Sequence, residues 1–244
     1  RTGTLTLTST STSATITSGG TSFYNLTQNG SGGTYALQDA LIVSNNLTIT
    51  AGTLDTKLSS NYGITVGGNF SNAGTFASRN GTVTLNGTNQ TLSGVTSFYN
   101  LTKNTTSTAT LTFPASATTT ITNTLNLSGA SGALLSLRSS ATSTQWQIVP
   151  RGTRTISYLD VRDSNNTNAS AISVDGLSIT NSGNNTNWAF DTTAPTVTNV
   201  TSPKTNGSYK AGDTVDVQVT FSEAVTVTGT PQITLETGSV DEAV

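Results

Sequence analysis

Short segments in which apolar residues alternate with threonine recur along the chain. Residues 47–50, 64–66 and 83–85 each place apolar side chains on one face and threonine on the other, which is the two-residue period of a β-strand. Their first apolar positions lie 17 and then 19 residues apart, with Asn- and Gly-rich turns between them. One strand-bearing turn at such intervals predicts a parallel β-solenoid. An antiparallel sandwich of hairpins with Asn-Gly turns is the alternative.

The heptapeptide TSFYNLT occurs twice, at residues 21–27 and again 75 residues later at 96–102. Such identity indicates that a unit of about 75 residues is repeated at least in part. We therefore expect Phe23 and Phe98 to occupy equivalent core positions, and Leu26 and Leu101 to do the same.

The segment 134–191 differs in composition from the residues before it, because it contains both tryptophans and several arginines. Residues 156–162 alternate as a strand, and the turn-like stretch 182–187 precedes Trp188 and Phe190. A solenoid needs its last turn covered, since that turn otherwise exposes apolar interior and strand edges to water. Trp188 and Phe190 are our candidates for this cap, near Tyr158 or Ile179. Ordinary core aromatics are the alternative.

A second unit follows a linker at residues 191–195, where Pro195 favours a short extended connection. Beyond it, residues 215–221, 225–227 and 233–235 alternate as strands of an antiparallel sandwich. About half of a ~100-residue sandwich is present, so an apolar stripe is expected to be exposed. The stripe comprises Val215, Val217, Val219 and Phe221. The missing strands either follow in the natural chain or come from a neighbouring subunit.

The composition narrows the possible functions. The 244 residues carry a net charge of −2 and only 9% are charged, so too few cations are present for a strongly basic nucleic-acid-binding protein. The chain contains no His, Cys or Met. This removes imidazole bases, thiol nucleophiles and disulfides, so catalysis would depend on carboxylates, hydroxyls and a few Lys or Arg. No run of 18 apolar residues is present, and we expect no membrane insertion.

Two resemblances agree with these patterns. The segment around residues 195–235 contains APTVTNVTSP, YKAGDTVDVQVTFSEAVTVTG and PQITLETG, and resembles the first half of a bacterial immunoglobulin-like repeat. Residues 4–190 contain SFYNLT, ITVGGNFSNAGTF, GTVTLNG and SGNNTNWAF, and are similar to β-solenoid repeats of very large bacterial surface or secreted proteins of adhesin type. The resemblances imply an all-β, modular, extracellular protein. It would have a solenoid over residues 1–190, a linker over 191–195 and a partial immunoglobulin-like sandwich over 196–244.

Acidic residues near the linker are the only metal-site candidates that the sequence offers. They are Asp191, Asp213, Asp216 and Glu223. Calcium binds several carboxylate and carbonyl oxygens, and tandem surface modules often stiffen their joints with it. No DxDxDG loop is present, and solvated surface acids are the alternative. No other cofactor is expected.

Runs of Thr-x-Thr at residues 4–8, 108–112 and 118–124 are similar to the hydroxyl arrays of ice-binding solenoids. Such an array requires Thr-x-Thr in register on many successive turns. Here the runs are clustered, and segments such as 64–66 interrupt them. We therefore interpret these threonines as the solvent-facing side of ordinary strands.

The sequence favours a non-enzymatic structural segment that acts in adhesion or as a stalk or fibre component. Its expected partners are other copies of itself, adjacent modules, surface glycans or cell receptors. A carbohydrate-binding or carbohydrate-active solenoid is the alternative, and it would be favoured if Trp146, Tyr158 and Asp160 lined a groove. Hydrolysis or elimination needs converging acids or bases, whereas the acids before residue 192 are widely scattered. They are Asp39, Asp55, Asp160, Asp163, Asp175 and Asp191.

Overall fold

The computed structural model describes residues 2–174, 178–190, 193–210, 212–223, 225, 227–232, 234–235 and 242–243. Within these residues the chain is all-β without a helix, and none of it forms a helix long and apolar enough to cross a membrane. The chain divides into two compact units, Arg1–Phe190 and Asp191–Val244.

The first unit contains the strands β1 to β21. The first eleven are β1 (Thr4–Leu7), β2 (Ala14–Ile16), β3 (Asn25–Leu37), β4 (Leu41–Val43), β5 (Leu47–Asp55), β6 (Ile64–Val66), β7 (Phe70–Asn72), β8 (Thr75–Ala77), β9 (Thr82–Leu85), β10 (Asn89–Ser93) and β11 (Thr96–Asn104). The next ten are β12 (Ala109–Phe113), β13 (Thr118–Ser128), β14 (Leu135–Ser139), β15 (Trp146–Pro150), β16 (Thr153–Ser157), β17 (Leu159–Val161), β18 (Ser164–Asn166), β19 (Ile172–Ser173), β20 (Thr180–Asn181) and β21 (Trp188–Ala189).

These strands form a parallel β-solenoid of about eight turns. One sheet has eleven strands and follows the order β1-β3-β5-β7-β10-β12-β14-β17-β20, with β2 and β8 beside it. A second sheet has eight strands in the order β18-β15-β13-β11-β9-β6-β4, with β16 paired to β13. Both sheets are parallel throughout, because the coil returns each strand beside its counterpart on the previous turn. The solenoid prediction is confirmed.

The core consists of inward-facing columns that the register aligns from turn to turn. Leu26 pairs with Leu47, and Leu47 with Phe70, and each of these side chains is at most 1% exposed. Aromatic rings also pack in this interior: Phe113 lies flat against Trp146 with centroids 3.9 Å apart. Alternation along each strand therefore produces one continuous core and two outward sheet faces.

Glycine is required where neighbouring turns approach most closely. At Gly94 the backbone has φ of 80°, and a Cβ atom there would lie 1.9 Å from the carbonyl oxygen of Asn72. At Gly152 a Cβ atom would lie 1.8 Å from the carbonyl oxygen of Asn123. No L-residue with a side chain fits such contacts without moving the backbone.

Two sequence-based strand assignments need correction. The predicted strand 156–162 is two strands, because Tyr158 adopts a φ of 52° and turns the chain between β16 and β17. The segments at Leu47 and Ile64 do not lie on successive positions of one column. Leu47 pairs with Phe70, whereas Ile64 pairs with Leu41, so the two belong to different sheets.

The two TSFYNLT copies are only partly equivalent. Leu26 and Leu101 are both fully buried, as predicted. Phe98 is 0% exposed, but Phe23 is half-buried, so the predicted equivalence of the two rings is wrong. The two rings differ in burial because the two copies lie in different sheets. The second copy belongs to β11 of the eight-stranded sheet, whereas Asn25 begins β3 of the eleven-stranded sheet. Phe23 precedes β3 and makes a single bridge, to Val43.

The second unit contains β22 (Val197–Thr201), β23 (Gln218–Phe221), β24 (Thr234–Leu235) and β25 (Glu242–Ala243). These form two antiparallel pairs, β22 with β23 and β24 with β25, and the described residues do not form a two-sheet sandwich. The predicted stripe is exposed: Val215 is 44% accessible, and Val217 and Val219 are each 38% accessible. Phe221 is half-buried.

Candidate functional site

Asparagine side chains bind successive turns of the solenoid together. The amide of Asn100 donates to the hydroxyl of Thr82 at 3.1 Å, and its oxygen accepts from the backbone N–H of Thr124 at 3.2 Å and from Asn123 at 2.8 Å. Asn25, the matching residue of the first heptapeptide copy, makes the same three kinds of contact on its own turns. The repeated asparagine therefore has a repeated role: it fixes the register of three consecutive turns.

Replacing Asn100 by alanine is expected to lower the free energy of unfolding by about 1–3 kcal/mol, because a half-buried backbone N–H loses its acceptor. Asn126 is the control, since it faces outward from the adjacent turn and makes no side-chain hydrogen bond to any described residue. Asn126→Ala should change stability by less than about 0.5 kcal/mol. Urea titrations of both variants test this, and equal losses would contradict the register role.

Four aligned strand segments of the eight-stranded sheet place polar residues outward, and we call this set the threonine face. It spans four turns that the register aligns: Asn100 pairs with Thr82 on one side and with Thr124 on the other, and the ladder continues to β16. Eleven aligned outward positions on these strands are Thr, Ser or Asn, whereas Tyr99 of β11 is half-buried beside Asn100 at a register shift. The eleven are Thr82, Thr84, Asn100, Thr102, Asn104, Thr124, Asn126, Ser128, Thr153, Thr155 and Ser157.

The middle column of this face is free of intramolecular side-chain hydrogen bonds within the described residues. It runs from Thr84 through Thr102 and Asn126 to Thr155, and Thr65 extends it by one turn. Thr155 is exposed and the others are half-exposed. Thr65 lies in register with Thr84, but it is the single outward residue of β6 and its other neighbour in the column is the exposed Ile42. The segment 64–66 therefore interrupts the Thr-x-Thr pattern, as predicted.

A buried lysine lies directly beneath this face. Lys103 is 1% exposed, and its ammonium donates to the carbonyl oxygen of Gly87 at 2.6 Å and to Oε1 of Gln90 at 2.7 Å. Burial lowers the pKa of Lys103 to about 8. Lys103 is not among the residues predicted from the sequence, although its alternation with Leu101 in one strand places it inward. Gln28, which follows the first heptapeptide copy, is buried in the same way.

The described acidic side chains of the solenoid do not converge, since each is held by a separate structural contact. The contacts are Asp39 with the backbone N–H groups of Ser18 and Gly19, Asp55 with Arg79, Asp160 with Arg138, and Asp163 with Asn184. The Arg79 guanidinium, at 2.7 Å, holds the pKa of Asp55 below its usual value. Asp175 lies outside the described residues. The described acidic side chains of the solenoid therefore do not form a pair that could act as general acid and general base.

The groove that would have favoured a carbohydrate site is not formed by the residues proposed for it. Trp146 is fully buried, stacked on Phe113, and its indole N–H donates to the carbonyl oxygen of Arg162 at 3.1 Å. Asp160 is occupied by Arg138 and by the hydroxyl of Ser182. Trp146 is therefore a core residue and cannot stack on a sugar.

The aromatic residues near the end of the first unit pack against its core. Trp188 is 9% exposed, pairs with Ile172, and donates its indole N–H to the hydroxyl of Ser164 at 3.0 Å. Phe190 stacks on it with centroids 5.9 Å apart and is half-buried. Burial of Trp188 agrees with a cap and argues against a ligand-stacking role on an open face.

The calcium candidates are only partly within the described residues. Asp213 accepts from the backbone N–H of Lys210 at 3.0 Å, which is a local turn contact. Asp216 is exposed, and Glu223 already interacts with another group. Asp191 lies outside the described residues. Within the described part of the chain no three acidic side chains form a group that could hold a metal ion. Calcium binding here stays a prediction.

Comparison of the chain with protein-family models, with curated proteins and with solved structures found no match.

Proposed function

We propose that this chain is a non-enzymatic structural segment of a large secreted or cell-surface protein of bacterial adhesin type, acting as a stalk or fibre component in adhesion. The observation that carries the proposal is the continuous ladder of about eight turns, each hydrogen-bonded to the next around one core. At about 4.8 Å per turn, such a unit is a spacer roughly 40 Å long. The described acidic groups of the solenoid are each held by a separate structural contact, which suits a spacer better than a reaction site.

Beads coated with the purified chain are expected to adhere to a surface without degrading its polysaccharide. The beads should be retained on at least one polysaccharide- or cell-coated surface, while no soluble sugar is released from that surface. Release of sugar that Asp160→Asn abolishes would favour the carbohydrate-active alternative instead. Asp160 is the appropriate test residue because it is a half-buried solenoid carboxylate that lies beside an arginine.

The second unit supports a modular arrangement. We propose that it is the first half of an immunoglobulin-like module, and that its valine stripe packs against further strands. Val197 and Val200 are more than half exposed, which is unfavourable in water without a covering sheet. Natural chain extended by about 50 residues should be monomeric and should resist protease in this unit. If the extended chain forms filaments that proline substitution at Val219 dissociates, strand addition between subunits completes the module instead.

Limited proteolysis should separate the two units. The strands of the solenoid are hydrogen-bonded in parallel ladders and bury their inward side chains, whereas every described residue of β22 is exposed. Thermolysin is therefore expected to leave a stable fragment close to residues 1–190 and to remove the rest first. Mass spectrometry of the fragment measures this, and early cleavage inside β5 or β11 would contradict it.

A further inference from the structure

Asparagine followed directly by glycine occurs four times in the chain, at residues 29–30, 80–81, 86–87 and 206–207. Asparagine is a thermolabile residue, because its side-chain amide can be lost to attack by the backbone nitrogen of the next residue. Glycine in that next position favours the attack, since it has no Cβ to shield the nitrogen and its backbone adopts many conformations. The attack also requires that the nitrogen be accessible and not held by a hydrogen bond.

The three Asn-Gly pairs of the solenoid do not meet this requirement. The backbone N–H of Gly81 donates to the carbonyl oxygen three residues earlier at 2.8 Å, and that of Gly87 donates to Oε1 of Gln90 at 2.9 Å. Gly30 is buried within β3, and a Cβ atom there would lie only 2.0 Å from a carbonyl oxygen of the neighbouring turn. In each pair the attacking nitrogen is therefore either hydrogen-bonded or covered by an adjacent turn.

The fourth pair lies in the second unit and meets the requirement. Asn206 and Gly207 are both exposed, in the segment between β22 and β23. Neither residue forms a hydrogen bond within the described part of the chain. Apart from its chain neighbours, no atom lies within 4 Å of the position that a Cβ atom of Gly207 would occupy. The backbone nitrogen of Gly207 is therefore open to solvent and to the side chain that precedes it.

Contacts on both sides of this pair hold the segment without involving the pair itself. The ammonium of Lys204 donates to the carbonyl oxygen of Thr214 and lies 4.6 Å from the centroid of the Tyr209 ring. The hydroxyl of Tyr209 donates to the carbonyl oxygen of Thr205. These contacts present residues 206–207 to water, while their backbone keeps the freedom that closure of a ring needs.

We propose that Asn206 is a site of spontaneous modification, at which the backbone nitrogen of Gly207 converts the asparagine to aspartate and isoaspartate. The nitrogen attacks Cγ of Asn206, and the new C–N bond closes a five-membered succinimide ring. The Cγ–Nδ2 bond breaks, and the amide group leaves as ammonia together with the proton from the backbone nitrogen. Water then opens the ring at one carbonyl to give aspartate or at the other to give isoaspartate. Water is the only co-reactant, and no atom is oxidised or reduced.

The conversion changes the charge of the second unit. Residues 202–214 carry the cations of Lys204 and Lys210 against the carboxylate of Asp213, and a new carboxylate at position 206 balances them. Isoaspartate also lengthens the backbone between β22 and β23 by one carbon atom. The second unit therefore changes with time, whereas the solenoid does not. The proposal rests on these residues alone and is independent of the role proposed above for the chain.

Incubation of the folded chain in mildly alkaline buffer, followed by mass spectrometry of its peptides, tests the proposal. Asn206 should be converted at least about tenfold faster than Asn29, Asn80 or Asn86, because the solenoid pairs react only after local opening, which costs free energy. Asn206→Gln should remove the conversion, since a glutamine side chain would have to close a larger ring. Gly207→Ala should slow it, since a Cβ atom fits the open space there and shields the nitrogen.

The same chain unfolded in guanidinium chloride is the matched control. All four pairs should then be converted at rates within a few-fold of one another, because their chemistry is the same once the solenoid is lost. Peptides are prepared at acidic pH, where ring closure is slow, so that digestion adds no conversion. Conversion of Asn80 or Asn86 as fast as Asn206 in the folded chain would overturn the proposal. An Asn206 that reacts only after unfolding would overturn it as well.

Discussion

Phe98→Ala is expected to lower the free energy of unfolding by about 3–5 kcal/mol, because it leaves a cavity that the rigid ladders cannot close. Phe98 is 0% exposed and lies 5.3 Å from the ring of Phe70 and 5.9 Å from the ring of Phe76. These three rings pack together in the core, so removing the Phe98 ring also removes a packing partner from Phe70 and from Phe76. Chemical denaturation followed by circular dichroism measures the change.

Phe23→Ala is the matched control, since the two residues lie in identical heptapeptides. Phe23 is half-buried and makes only one bridge, to Val43. Its replacement should cost about 1–2 kcal/mol, in proportion to the smaller apolar area removed from water. Equal losses at the two positions would show that local sequence, rather than the position of each copy in the coil, sets the energy.

The fold class was predictable because alternation is a local property of the chain. The strands at 64–66 and 83–85 alternate Ile or Val with Thr, and both lie with apolar residues inward and threonine outward. A solenoid is the arrangement that lets such short strands share one core without long-range sheet crossings. Burial of Leu26 and Leu101 followed from the same parity.

Register was not predictable, because it depends on how many residues each corner consumes. The turn that contains Leu47 also contains Leu41, and only the ladder shows that Ile64 pairs with the latter. The same ambiguity concerns the threonines: only the ladder shows that Thr65 pairs with Thr84 and that β6 adds a single outward threonine to that column. Corner geometry, such as the positive φ of Tyr158, has no reliable signal in a chain this rich in Asn, Ser and Gly.

The candidate site was less predictable than the fold. A groove lined by Trp146 would have favoured the carbohydrate alternative, yet Trp146 fills the core against Phe113. Lys103 was overlooked because lysine is seldom buried, although its parity placed it inward. In both cases the position within the strand was a better guide than the residue type.

Lys103 should make the stability of the solenoid depend on pH in the alkaline range. Its pKa in the folded chain is lowered to about 8 from the ordinary value of 10.5, because burial penalises the ammonium. Below pH 8 the folded and unfolded states are both protonated, and this contribution is constant. Between pH 8 and 10.5 the folded state has lost the proton that the unfolded state still binds, so stability rises with pH. The full rise is about 3 kcal/mol.

Lys103→Met isolates this contribution, because methionine fills a similar volume and cannot be protonated. The free energies of unfolding of both proteins, measured by urea titration between neutral pH and pH 10.5, give a difference in which all other titrating groups cancel. The unmodified chain should gain on the variant as pH increases through this range, since only its folded state has released the proton. A difference that stays constant would mean that the ammonium, held by Gly87 and Gln90, keeps its ordinary pKa inside the core.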